Sequence, residues 1–181
     1  MKIGYSLDEN DYLNHQLFIA SKSERIKKKR QRNKIIIPIF YLPFCLMFVL
    51  NKQYIWALFF IIAPILWFFI YPIRERKRYI NHYSAFIKEH WNEKFGKLST
   101  VEFNNEYIIA TDNNSESKVA TIGIKEIYEL QSYIYINLKD GQSLIIPKEK
   151  IENKNVLIGR LKELADFLKI GYIIDENWVW K

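Results

Sequence analysis

The sequence predicts an α+β membrane protein: a two-helix transmembrane hairpin joined to an antiparallel, β-rich cytoplasmic domain that carries a C-terminal helix. Three observations carry this expectation. Residues 35–50 (IIIPIFYLPFCLMFVL) and 54–73 (YIWALFFIIAPILWFFIYPI) contain no charged residue. Lys and Arg crowd both outer flanks of these runs. From Leu98 onward the apolar residues recur at every second position, the period of a strand, until a helical period takes over at Lys154.

At a rise of about 1.5 Å per residue, the second run is roughly 30 Å long, the hydrocarbon thickness of a bilayer. The first reaches roughly 24 Å, and crosses if Lys34, Asn51 and Lys52 extend their stems toward the headgroups or the bilayer thins locally. The alternative is a buried hairpin in a soluble core, which would need a larger core than the rest of a 181-residue chain offers. Pro38, Pro43, Pro64 and Pro72 lie within or at the edges of the runs, and lipid-embedded helices tolerate proline. No Asp, Glu, Lys, Arg or His lies inside either run, which argues against a proton relay or an ion path. Tyr41, Tyr54, Trp56, Trp67 and Tyr71 include several rings near the run ends, where amphipathic aromatics favour the interface.

Charge sets the orientation. Residues 22–34 (KSERIKKKRQRNK) hold eight Lys/Arg and one Glu, a local charge of +7, and residues 74–78 (RERKR) hold four and one, or +3. The whole chain carries +7, so everything outside these belts sums to −3. The basic surplus belongs to the membrane borders, and no nucleic-acid partner is expected. The turn between the runs has only Lys52, so the positive-inside rule places both termini in the cytoplasm. Arg25, Lys27, Lys28, Lys29, Arg30, Arg32 and Lys34, with Arg74, Arg76, Lys77 and Arg78, are candidate contacts for anionic lipid headgroups, at about 1 kcal/mol per charge. The same charges would also serve as topology signals alone. MKIGYSLDENDYLNHQ has no apolar core segment, so no signal peptide is expected.

The elements follow in order. Residues 1–34 comprise a strand at 2–7 (KIGYSL), a helix from Asp8 capped by Ser6 or Asp8, and the basic belt. In that helix Tyr12, His15/Gln16, Ile19 and Ser23 fall on one stripe, with Leu13, Leu17 and Ala20 beside it. Residues 35–73 form the hairpin. Residues 74–96 hold the second basic flank and an amphipathic helix over 79–94, with Tyr79, Tyr83, Phe86, Ile87 and Trp91 at 3–4 spacing and Gly96 as its stop. Residues 97–181 form the β-rich domain, with strands at 98–103, 106–111, 117–124, 126–131, 133–138 and 142–147. Asn104-Asn105, Asp112-Asn113-Asn114 and above all Asp140-Gly141 supply the turns. A helix over 154–169 follows, with Ile158, Leu161, Ala165 and Leu168 on one face. Residues 2–7 are expected to pair with a strand from 98–147, making seven. Seven strands closed by a C-terminal helix match a pleckstrin-homology-like (PH-like) barrel.

A strand and helix, a basic stretch, two adjacent spans and then TIGIKEIYELQSYIYINLKDGQSLIIPKEKI (121–151) resemble the YcxB-like family of bacterial membrane proteins. The matching pieces are Ile124-Lys125-Glu126-Ile127, Tyr133-Ile134-Tyr135 and Ile146-Pro147-Lys148. Where relatives often carry Trp before the Ile-x-x-Ile step, this chain has Gly123 or Ile124. The resemblance implies a PH-like cytoplasmic domain on a two-helix anchor in the bacterial inner membrane, and it brings no assigned activity or catalytic residue.

Little else points to chemistry. No GxGxxG, GxxxxGK[ST] or GxSxG occurs. His82 and His90 stand eight apart near Glu89 and Glu93, which is not a His-x-x-x-His spacing; they read as surface or half-buried helix histidines, and neither metal nor cofactor is expected. Cys45, the one cysteine, lies within an apolar run and reads as a packing thiol. Glu102, Glu106, Asp112, Glu116, Glu126 and Glu129 read as solvated strand faces. Trp178 and Trp180 alternate in DENWVWK as in a strand, so sheet or core packing is the favoured reading and a docking patch the alternative. The expected function is a non-enzymatic, membrane-anchored binding or regulatory module that contacts anionic lipid and a protein partner, with homo-oligomerisation left open. A membrane-anchored immunity or inhibitor protein against a toxin, and a membrane-associated enzyme, are the alternatives.

Overall fold

A computed structural model describes residues 1–112 and 115–181, so Asn113 and Asn114 of the expected turn lie outside the described residues. The chain divides into two compact units, residues 1–15 with 86–179, and residues 16–85 with 180–181.

In the first unit, β1 (Lys2–Ser6), β2 (Leu98–Phe103), β3 (Tyr107–Asp112) and β4 (Ser115–Ala120) form an antiparallel sheet in that order. Strand β1 pairs with β2 as expected, Lys2 opposite Glu102 and Ser6 opposite Leu98. The period-two pattern explains the register: Ile3 and Tyr5 both point into the core, with Ile3 opposite the buried Val101. The second sheet runs β7-β6-β5-β8, from β5 (Ile124–Glu129), β6 (Tyr133–Leu138), β7 (Ser143–Pro147) and β8 (Gly171–Ile174). The Asp140-Gly141 turn joins β6 to β7. Gly141 takes a φ of 90°, which a side chain would disfavour, and Asp140 Oδ1 accepts from the Gln142 amide at 2.9 Å.

Strand β8 makes an eighth strand where seven were expected. It follows α4 (Lys154–Leu168) and pairs with β5 in parallel, Glu126 opposite Gly171. Only a crossover element lets a chain return parallel, and α4 provides it. Leu157, Leu161 and Ala165 of α4 join Phe103, Ile127 and Ile146 in the core. Residues 175–181, including both tail tryptophans, lie outside any strand.

Helix α1 (Glu9–Lys22) is capped by Asp8, not Ser6: Asp8 Oδ1 accepts from the Asp11 amide at 3.0 Å, and Asp11 Oδ2 accepts from the Asp8 amide at 2.8 Å. This is a reciprocal capping box with Asp in the Glu position. Of the expected apolar face, His15, Leu17 and Ala20 are buried, but Ile19 is exposed and Phe18 is fully buried in its stead. Ser23 then interrupts the helix and its Oγ accepts from the Ile26 amide, starting α2.

The second unit centres on α2 (Glu24–Leu50) and α3 (Tyr54–Trp91). The amphipathic helix expected at 79–94 is not separate. It continues α3 without a break to Trp91, because Arg, Glu and Lys at 74–78 are good helix formers and no Gly or Pro lies between Pro72 and Trp91. A Schellman turn reverses the chain: Gln53 N donates to Phe48 O at 2.9 Å, Lys52 N donates to Val49 O at 3.0 Å, and Lys52 takes the left-handed φ of 57°. The helices pack antiparallel, with Phe60 against Tyr41, Phe44 and Phe48 at 5.4, 5.5 and 5.2 Å between ring centres. Both helices are long and apolar enough to cross a membrane. Their apolar faces are not enclosed: α2 buries no residue, and Ile55 of α3 is 85% exposed. A hairpin buried in this chain's own core would have these side chains covered, and they are not.

Candidate functional site

The antiparallel packing brings the two basic flanks level. Arg30 on α2 donates from Nε to Glu75 Oε2 on α3 at 3.0 Å. Glu75, the lone acid of RERKR, is only 3% exposed; it also accepts from the Tyr71 hydroxyl, and Arg78 Nη2 stands 3.6 Å from its Oε1. Arg30 has further work. Its Nη2 donates to the Lys181 carbonyl at 2.5 Å, and its guanidinium lies 4.7 Å from the Trp180 ring and 5.9 Å from that of Tyr79. Trp180 meets Tyr79 edge-on at 5.5 Å. A planar fork that both bonds a carboxylate and stacks on indole is a task for Arg rather than Lys.

The candidate headgroup residues therefore divide. Arg25, Lys27, Lys28, Lys29 and Arg32 are exposed, as are Arg74, Arg76, Lys77 and Arg78. Lys27 pairs with Glu24 at 2.8 Å. Arg30 is half-buried in the cluster just described, and half-buried Lys34 places Nζ 3.6 Å from the centre of the Phe68 ring. Trp180 is buried and Trp178 half-buried. Arg30 and Trp180, which the sequence offered for separate roles, are neighbours. His82 and His90 are exposed on α3.

The first unit holds two polar clusters of its own. Glu129 at the end of β5 is 5% exposed, which corrects its reading as a solvated strand residue. Its Oε1 accepts from Lys148 Nζ at 2.9 Å, its Oε2 accepts from the Tyr172 hydroxyl at 2.6 Å, and Lys162 Nζ stands 3.6 Å away. Burial alone would raise the Glu129 pKa, but the hydrogen bonds from Tyr172 and Lys148 outweigh it and hold the carboxyl below its ordinary range. Burial, with Glu129 beside it, pushes the Tyr172 hydroxyl strongly up, so it stays a donor. Strand β5 lies between β6 and β8 and buries its last three residues, Ile127–Glu129, in succession, so simple alternation does not mark Glu129 as buried or exposed. The sequence signal was Lys148, a cation closing the apolar strand Ser143–Pro147.

In the second cluster, Lys150 Nζ reaches Asp8 Oδ2 at 2.7 Å and Asp11 Oδ2 at 2.6 Å, while Tyr133 donates to Asp11 Oδ1 at 3.1 Å. Burial first of all drives the Tyr133 hydroxyl up to about 12. One turn along α1, His15 is 8% exposed and lies edge-on to Tyr135 at 5.0 Å between ring centres.

Tyr133, Lys148 and the strands that carry them fall in one block of sequence. Residues 103–158 match the model of the YcxB-like protein family. The matched segment runs from the end of β2 through β7 into α4, and so takes in Glu129, Lys148, Tyr133 and Lys150. The Ile-Pro-Lys sequence on which the resemblance partly rested ends in the lysine that neutralises the buried Glu129. No curated protein and no solved structure matches the chain.

Proposed function

We propose that the protein is a membrane-anchored, non-enzymatic binding or regulatory module of the bacterial inner membrane, with both termini in the cytoplasm. The observation that carries this is the Arg30–Glu75 contact, which sets both basic flanks at one end of an antiparallel hairpin with exposed apolar sides. Exposed apolar surface on that scale is costly in water and suited to lipid. The positive-inside rule then directs the basic end to the cytoplasm. The exposed cations of that end face anionic headgroups, where each is attracted by about 1 kcal/mol.

The β-rich unit is the part offered to a partner protein. Two sheets with α4 packed into their core support a PH-like reading, and the parallel strand β8 is an addition to it. Its buried acids are engaged by Lys148, Tyr172, Lys150 and Tyr133, which supports structural roles for them and a binding rather than catalytic module.

Reporter fusions test the anchor. Fluorescent protein at either terminus should fluoresce, alkaline phosphatase there should be inactive, and the protein should resist extraction by alkaline carbonate. A periplasmic C-terminus or release by carbonate overturns the reading.

A further inference from the structure

Resting on the membrane-anchored reading above, we propose that a groove between α2 and α3, at their basic end, binds the phosphate of an anionic lipid headgroup. The helical period builds it. Arg25, Lys29 and Asn33 stand four apart and share one stripe of α2; on α3, Arg78 with His82 and Tyr79 with Tyr83 do the same. Both stripes line a single groove of about 700 Å³. That volume falls within the range of about 300–1,000 Å³ usual for small-molecule sites.

The groove is short of negative charge. Of the two nearby acids, Glu24 pairs with Lys27 at 2.8 Å, and Glu75 is occupied by Arg30 and Tyr71, its contact with Arg78 being long at 3.6 Å. Among the described residues, Arg25 and Lys29 have no carboxylate partner. Arg25, Lys29 and Arg78 thus line one groove together with Tyr79 and Tyr83, side-chain types suited to donate to phosphate oxygens.

Depth selects a lipid over a soluble phosphate. The charge-free run begins at Ile35, so Asn33 and Lys29 sit roughly 3 and 9 Å along the helix from the apolar boundary. A headgroup layer is about 5–8 Å thick on each side of the hydrocarbon. Asn33 falls within that layer and the Lys29 backbone just past its outer edge, close enough for the long Lys29 side chain to reach a headgroup phosphate. Lys28 and Arg32 are exposed on the same helix but do not line the groove, and they give a control of equal charge.

The test uses the full-length protein in nonionic detergent, titrated calorimetrically with dihexanoyl phosphatidylglycerol at about 0.15 M salt, where diffuse attraction is screened. Saturable one-site binding is expected. Lys29→Gln with Arg78→Gln should weaken it at least about tenfold by removing charge-assisted contacts. Lys28→Gln with Arg32→Gln, the same loss of charge, should weaken it by less than about threefold. Tyr83→Phe, a milder change, should weaken it measurably with the fold intact by circular dichroism. Equal losses from the two charge pairs overturn the groove in favour of diffuse attraction. Displacement of the lipid by an equal concentration of glycerol 1-phosphate overturns the lipid assignment, and equal affinity for dihexanoyl phosphatidylcholine overturns the anionic one. Carbonate extraction and terminal reporters on the same variants separate the two ideas: native topology with unselective lipid binding sinks the groove and leaves the anchor standing.

Discussion

His15 makes the β-rich unit sensitive to mild acid. Its ring is 8% exposed, meets Tyr135 edge-on, and offers both nitrogens to no polar partner among the described residues. Burial therefore lowers its pKa from 6.5 to about 4. The folded ring takes its proton only near pH 4, whereas the unfolded ring takes it near 6.5, so between those values acid favours the unfolded chain. Stability present at pH 7 falls as the pH drops through 6.5, and levels off below about 4. Moving from pH 7 to pH 5 costs about 2 kcal/mol from this group. The carboxyls of Asp8 and Glu129 are held below their ordinary range, so their losses come at lower pH and leave the window to His15. Urea unfolding of the full-length protein in mild detergent, followed by near-ultraviolet circular dichroism at both pH values, measures the drop. In His15→Leu, which keeps the packing and removes the titration, the drop should shrink by about that 2 kcal/mol. The reasoning is refuted if wild type and His15→Leu lose the same stability between pH 7 and pH 5.

Two more outcomes follow from other parts of the chain. Lys148→Met leaves Glu129 buried with Tyr172 and the more distant Lys162, and should destabilise the β-rich unit by about 3 kcal/mol in the same urea assay, with part of that recovered when Glu129→Gln is added. Ile61→Arg, near the middle of the second apolar run, should impair insertion by about 2.5–3.5 kcal/mol, read as the inserted fraction in a glycosylation-mapping assay.

Local features were legible and distant ones were not. Strand β6 (Tyr133–Leu138) was read to the residue, because alternation and the Asp140-Gly141 turn are properties of adjacent residues. That residues 2–7 pair with a strand from 98–147 was anticipated from the family resemblance and the strand count, but the choice of β2 among those strands was not. Strand β8 was missed: four residues carry too little pattern, and its parallel partner β5 is reached only across α4. The continuity of α3 was missed because a run of charges reads as a border between elements, although Arg, Glu and Lys favour a helix. The positions of the basic residues were plain from the sequence, but the allocation of Arg30 to Glu75 and Trp180 was not. Those contacts join residues 45 and 150 positions away, and charge counting treats every cation alike.

The pairing of β1 with β2 also orders events during synthesis. Lys2–Ser6 leaves the ribosome well before the strand it must lie against, Leu98–Phe103, which follows only after residues 7–97. At about 5–20 residues per second, that gap lasts roughly 5–20 s. Through that interval Ile3 and Tyr5 have no sheet to enter, and both apolar helices emerge while they wait. The β-rich unit cannot close until its first segment is recruited across the whole hairpin. Its completion thus reports that the hairpin has already been made.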